Sequence, residues 1–370
     1  MKSLACALLA GLATGPAMAV PDSFIWLNVS VKFVVDPATG QPPPGTDDAN
    51  LRQVFDLMNR WLANTWRGYR ARLVDLDGSG NFRRVGGLND TTGPSKWYNL
   101  NLKGGEEPSA TYSLNFENAA TANPLLFGWN SAALNLYINN GDFSSVQGWP
   151  RRLVISAYGL ISDDSSPELY KINNYKIAGN LLHEMGHYFG LPHTWDDVLS
   201  DAARDVFEGG GRNETVVRNG IAFLNFSHSY GGLTPAEKQL VDNTANNAMS
   251  YYQLFYDDPA QGKTLTDAER YGFSRFLFTE RQADKWADYA NNQRAATASG
   301  RTKFVNAAVT DSGDGTSVAP FKTLAAGIIA ASAAGTDIVM LQQGTYTAAT
   351  LSKPVTLRAS HSGPVVIQKP

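Results

Sequence analysis

Cysteine is almost absent from this chain of 370 residues; Cys6 is the only one. An intrachain disulfide is excluded, and so is any zinc site or iron–sulfur cluster built on cysteines. Charge is scarce too. Asp, Glu, Lys and Arg make up 18% of the residues, against about 25% in an average soluble domain. Asn, Ser, Thr and Gly must therefore supply much of the polar surface, a mix common in exported proteins. The formal net charge of −3 leaves no basic excess to draw nucleic acid or an anionic membrane. No segment beyond the N-terminus approaches the roughly 20 apolar residues of a membrane span. Histidine is rare as well, with five in the chain, and their placement carries the functional reading.

Residues 1–19 read as a signal peptide. Lys2 gives a positive start, residues 4–13 form an Ala/Leu-rich apolar run, and Ala17-Met18-Ala19 ends in a small-x-small cleavage pattern. Cys6 follows Leu4-Ala5 as in a lipidation site, but no apolar stretch precedes it. The expectation is a secreted protein, extracellular or periplasmic, whose mature form has no thiol.

Residues 24–35 alternate apolar and polar and read as a strand. A Pro/Gly-rich loop follows, and Asp47 or Asp48 can cap a helix over 49–66. Residues 69–76 return as a strand. Residues 75–81 (DLDGSGN) resemble the first half of a Ca2+ loop. The twelfth position is Gly86 rather than Glu, so a plain Gly-rich hairpin is preferred over a calcium site. Strands are expected at 132–138 and 152–160, and a helix from Glu168 or Asn173 to Phe189. A second helix is expected over 265–291, with Thr266 at its N-cap. This order predicts an α+β fold with a mixed sheet and helices on one side. Residues 295–301 read as a linker. Beyond it come an amphipathic helix over 320–335 and strands at 338–342, 355–358 and 365–368.

Three of the five histidines fall within eleven residues, in His183-Glu-Met-Gly-His187-Tyr-Phe-Gly-Leu-Pro-His193. His183 and His187 are i and i+4 on a helix, so one metal ion can bridge their imidazoles. Tetrahedral catalytic zinc takes three protein ligands and keeps an open position for water. Gly190 lets the chain turn with positive φ, Pro192 stops the helix, and His193 can swing back to the same ion. Glu184 lies about 100° round the helix from His183. There it can reach a metal-activated water as general base and then protonate the leaving amine. The apolar stripe of Ala178, Leu181, Leu182, Met185 and Phe189 faces away from both histidines, which predicts that they are not buried with it.

Met249 follows 56 residues after His193, in Asn-Asn-Ala-Met-Ser-Tyr-Tyr. HExxHxxGxxH followed by such a methionine resembles the signature of metzincin zinc endopeptidases. That resemblance implies a twisted five-stranded mixed sheet, an active-site helix, a Met-turn and a C-terminal helix. It implies one catalytic Zn2+ on His183, His187 and His193. Met249 then forms a hydrophobic base beneath the site, and Tyr251 either ligates zinc as a fifth group or donates to the oxyanion. Residues 183–195, HEMGHYFGLPHTW, look most like the pappalysin group, and residues 201–205 loosely resemble its acidic segment. The lack of cysteine departs from secreted pappalysins. His228 and His361 carry no assignment.

The tail from 311 onward resembles the N-terminal cap and first rungs of a pectate-lyase-like parallel β-helix, too short to stand alone. The expected organisation is a signal peptide (1–19), a zinc protease domain (20–297) and a linker with a small β-helix-like module (298–370). The expected substrate is protein or peptide, with the 132–138 strand as the sheet edge that receives it. The tail can contact a surface or polymer. The first strand starts about five residues after the cleavage site, which leaves no space for an N-terminal prodomain. An enzyme active once zinc-loaded is expected. The rival reading is a secreted adhesion or binding protein with a structural zinc.

Overall fold

The computed structural model describes residues 24–44, 47–63, 65, 67–86, 97–99, 109–140, 145–146, 153–157, 178–179, 181–191, 248–249, 278, 280–360 and 363–369. At its centre is β1 (Ile25–Val34). Its alternating pattern sends Ile25, Leu27, Val29, Val31 and Phe33 to one face of the sheet, and Ser30, Lys32 and Val34 to the other. β2 (Tyr69–Val74) and β3 (Arg83–Val85) both pair with β1 in parallel along the same edge, β2 with residues 25–30 and β3 with residues 32–34. The segment between them is therefore not the hairpin expected from its glycines. The chain leaves one edge at Val74 and returns to that edge at Arg83. On the far side β1 pairs with β4 (Leu134–Asn139), and β4 with β6 (Leu153–Ala157), both in parallel. β5 (Ser145–Val146) closes that side antiparallel to β6. Among the described residues six strands thus fill five positions, in the order β2-β1-β4-β6-β5, with β3 in line with β2 along β1.

This order corrects the placing of the substrate edge. β4 is interior, and all six of its residues are buried, as a strand flanked and covered on both faces must be. Among the described residues the edge next to β6 is β5, whose two residues give too short a pattern to read.

Helices cover both faces, not one. α1 (Asp48–Ala63) buries Val54, Met58, Trp61 and Leu62 against the β1 face that carries Ile25 and Leu27. Asp47 is its cap, accepting the Ala49 N–H at 2.8 Å. The Asp48 carboxylate instead accepts the Phe82 N–H at 2.7 Å and bonds Arg84. The same face packs α4 (residues 181–188) and α5 (Glu280–Asn292). The start of α4 and residues 265–277, with the expected cap Thr266, lie outside the described residues. The opposite face is covered by α2 (Ser109–Ala122) and α3 (Pro124–Phe127). Tyr112, Phe116 and Phe127 pack there against Val34, Val85 and Tyr137.

The tail comprises β7 (Thr302–Val305), α6 (Leu324–Ala330), β8 (Ile338–Leu341), β9 (Gly344–Thr347), β10 (Thr356–Ala359) and β11 (Val365–Gln368). Its strands form two all-parallel sheets, β10-β8-β7 and β11-β9. Phe304, Ile338 and Met340 belong to the same buried cluster as Ile25, Leu27, Tyr69 and Trp286. The expected linker is accordingly packed. Ala295–Thr297 is a 3-10 turn, Leu27 bridges Ala298, and Ser299 exchanges hydrogen bonds of 2.9 Å with the Trp26 backbone. Small polar residues here serve close approach to β1 rather than flexibility.

Lys32 is fully buried on β1, with Nζ donating to Asn135 Oδ1 at 2.5 Å and to the Ser30 carbonyl at 3.2 Å. Burial lowers its pKa to about 7; Asp75 opposes that shift and Arg83 adds to it. The unfolded lysine titrates near 10.4, so between pH 7 and 10 the unfolded state holds a proton that the fold does not. Stability should therefore rise with pH across that window, by at most about 1.4 kcal/mol per unit, and show no Lys32 dependence below it. Denaturant melts at pH 7.5 and 9.5 check this: the rise should be present in the wild type and lost in Lys32→Met.

Candidate metal centre

Helix α4 lies in a sheath of core. Leu181, Leu182, Met185, Tyr188 and Phe189 are buried, but so are His183 (3% exposed) and Glu184 (8%). His183 is thus enclosed, though from the face away from the apolar stripe. The reason is Ala248-Met249, which covers the face opposite the apolar stripe and is itself fully buried.

Two backbone carbonyls aim the imidazoles. His183 Nδ1 lies 2.8 Å from the Ala248 carbonyl oxygen, and His187 Nδ1 lies 2.8 Å from that of Leu191. A carbonyl only accepts, so each Nδ1 carries the proton and, in the neutral ring, each Nε2 presents its lone pair. The two Nε2 atoms converge to 3.1 Å. Two lone pairs held face to face repel unless a cation lies between them. Two nitrogens on one tetrahedral zinc stand about 3.3 Å apart, given bonds of about 2.0–2.1 Å. An Nδ1–H donated to a carbonyl is also the usual outer partner of a metal-binding histidine. The residues present thus fit zinc.

The helix end provides one of those carbonyls. Gly190 has φ +80°, and the Leu191 and Gly190 N–H groups return to the Gly186 and His187 carbonyls, both at 2.9 Å. This Schellman turn places the Leu191 carbonyl against the Nδ1 edge of the His187 ring. Besides bending the chain after the helix, Gly190 therefore sets the orientation of His187.

Met249 rests directly on the helix at Gly186. A Cβ added at Gly186 would overlap its sulfur and lie 3.2 Å from its methyl. Gly186→Ala should therefore cost about 1–3 kcal/mol by overpacking, whereas the same change in an exposed helix gains up to about 1 kcal/mol. Urea unfolding of the metal-free variant checks the sign.

His193 and Tyr251, the third expected ligand and the expected oxyanion donor, lie outside the described residues, as do His228, His361 and residues 201–205. Among the described residues no group of three His, Cys, Asp or Glu side chains could hold a metal ion. In residues 75–81, which resemble the first half of a Ca2+ loop, Asp77 accepts the Ser79 and Asn81 N–H groups at 2.9 and 2.8 Å. Asp75 accepts from Ser30 and Asn130 at 2.6 and 2.7 Å. Turn formation accounts for Asp77, and bonds to β1 and to Asn130 account for Asp75. No helix of the described residues is long and apolar enough to cross a membrane.

Gly186 is a residue of the site that the zinc motif does not flag, although a glycine inside a helix is itself a signal of close approach. The carbonyls of Ala248 and Leu191 leave no signal in the sequence, since any residue supplies one.

No protein family's sequence model matches this chain, and no curated protein matches it. Among solved structures it is similar to a zinc-dependent peptidase from Methanocorpusculum labreanum (strain Z), with 13% identity and a TM-score of 0.26 over 44% of this chain and 83% of that one. It is also similar to OgpA from Akkermansia muciniphila, with 13% identity and a TM-score of 0.28 over 49% of this chain and 52% of that one. The chain thus spans about half the length of OgpA. At that overlap neither likeness carries the reading of the site, which rests on the geometry of α4.

Proposed function

We propose that this chain is a secreted zinc-dependent endopeptidase of metzincin type, nearest to the pappalysin group. The observation that carries the reading is the pair of Nε2 atoms 3.1 Å apart, each aimed by a carbonyl behind its ring. His183 and His187 would hold the ion with His193, above the base formed by Met249. Zinc, when bound, supplies Lewis acidity that makes water nucleophilic near neutral pH and polarises a scissile carbonyl. Glu184, beside His183, takes the proton of the attacking water on its carboxylate and delivers it to the leaving amine nitrogen. Its low exposure keeps that proton from bulk solvent. Tyr251 donates its hydroxyl to the oxyanion or joins the ligands. An extended substrate adds along the β5 edge.

In this reading residues 1–19 are removed on export, 20–297 carry the chemistry, and 298–370 form a β-helix-like module that contacts a surface or polymer. Zinc content and casein cleavage of the purified protein test it. About one zinc per chain with cleavage abolished by chelation is the expected result. Zinc bound without cleavage of casein or a peptide library would replace the enzyme with a binding protein.

A further inference from the structure

The C-terminal end of α4 is gripped by residues far along the chain. Once the Gly190 turn has taken the Gly186 and His187 carbonyls, the next carbonyl, that of Tyr188, accepts from Arg294 Nε at 3.1 Å. Arg294 is 4% exposed, and its guanidinium carbon lies 4.2 Å from the centre of the Tyr188 ring. Tyr289 closes over the turn, 2.5 Å from where a Cβ on Gly190 would stand. Trp286 stacks on Phe189, with ring centres 4.5 Å apart and planes at 24°. The gripped residues, 188–190, join His187 to the Leu191 carbonyl that aims it.

The grip is anchored in the tail. Asn291 exchanges side-chain hydrogen bonds with the Thr302 backbone, at 2.8 and 3.0 Å. Asp288 accepts the Ser317 N–H at 3.0 Å. Helix α5 thus reaches the parallel sheets on one side and the histidine helix on the other.

From this juxtaposition we infer that Arg294 is a positioning residue of the metal centre. It caps and stacks on Tyr188, which holds the helix end, the Leu191 carbonyl and the His187 ring in ligating geometry. A cation at a helix C-terminus also matches the helix dipole. The inference rests on the reading of His183 and His187 as zinc ligands.

The test is zinc affinity by chelator competition, with the absorption spectrum of the Co2+-loaded full chain, for wild type, Arg294→Gln and Arg294→Lys. Loss of an outer partner of a ligand costs about 10–100-fold in affinity; Arg294 acts one contact further out, so Arg294→Gln should bind zinc more weakly by up to about tenfold and shift the Co2+ band. Arg294→Lys keeps the charge but not the planar stack, and should fall between the two. Circular dichroism reports folding; where Arg294→Gln does not fold, Arg294→Lys carries the test. Affinity and spectrum equal to wild type in the folded variant overturn the inference. Failure of the wild type to bind zinc overturns the metal reading instead.

Discussion

Glu184→Gln should leave zinc bound and reduce peptide hydrolysis by about 10²–10⁴-fold, the range that a positioned general base contributes. The substitution keeps the shape of the side chain and removes its ability to take a proton. Glu184 is 8% exposed and follows directly on His183, one of the residues that would hold the ion. The two imidazoles are aimed by other groups, the Ala248 and Leu191 carbonyls. Zinc stoichiometry should therefore be unchanged while kcat falls, with KM moving little. Cleavage kept within a factor of about ten would remove Glu184 from the chemistry. Loss of zinc along with activity would make it a structural residue.

Arg67→Ala should destabilise the fold by about 3–5 kcal/mol at neutral pH. Arg67 is 1% exposed, and its Nε meets Asp284 Oδ1 at 2.7 Å. Burial pushes the Asp284 carboxyl up from its usual range, and Arg67 is the main influence that pulls it back down. Without the guanidinium, a largely enclosed carboxylate on α5 has lost its counter-charge. Acid should relieve the variant: once Asp284 is protonated the uncompensated charge is gone, so the gap to wild type narrows as pH falls. Replacing both partners, as Arg67→Met with Asp284→Leu, should recover most of the loss. Chemical denaturation of wild type, Arg67→Met, Asp284→Leu and the double variant at pH 7 and pH 5 measures the cycle. Additive single losses in the double variant would show that the pair is not coupled.

Strong periodicity makes part of this fold legible in the amino-acid sequence. The alternation of residues 24–35 marks β1, the apolar spacing after Asp47 marks α1, and the HExxHxxGxxH run marks α4 with its two imidazoles on one side. Helix α2 is faint because Asn, Ser and Thr are poor helix formers and only Tyr112, Phe116 and Ala120, spaced by four, mark its buried stripe. The edge strand is hard to place because sheet order depends on pairings across more than a hundred residues, as between β1 and β4. Burial of His183 leaves no local trace because its cover comes from residue 248, 65 positions away. Arg294 is illegible as part of the site for the same reason: its partner Tyr188 is 106 positions upstream.

Phe304, Ile338 and Met340 share one cluster with Ile25, Tyr69 and Trp286, which ties the melting of the tail to that of the main sheet. Two modules with separate cores would melt in two steps. Here the parallel sheets supply part of the wall against which β1 and α5 are buried, so neither side retains its apolar cover when the other opens. Calorimetry should record a single cooperative transition, with the tail and the histidine helix lost together.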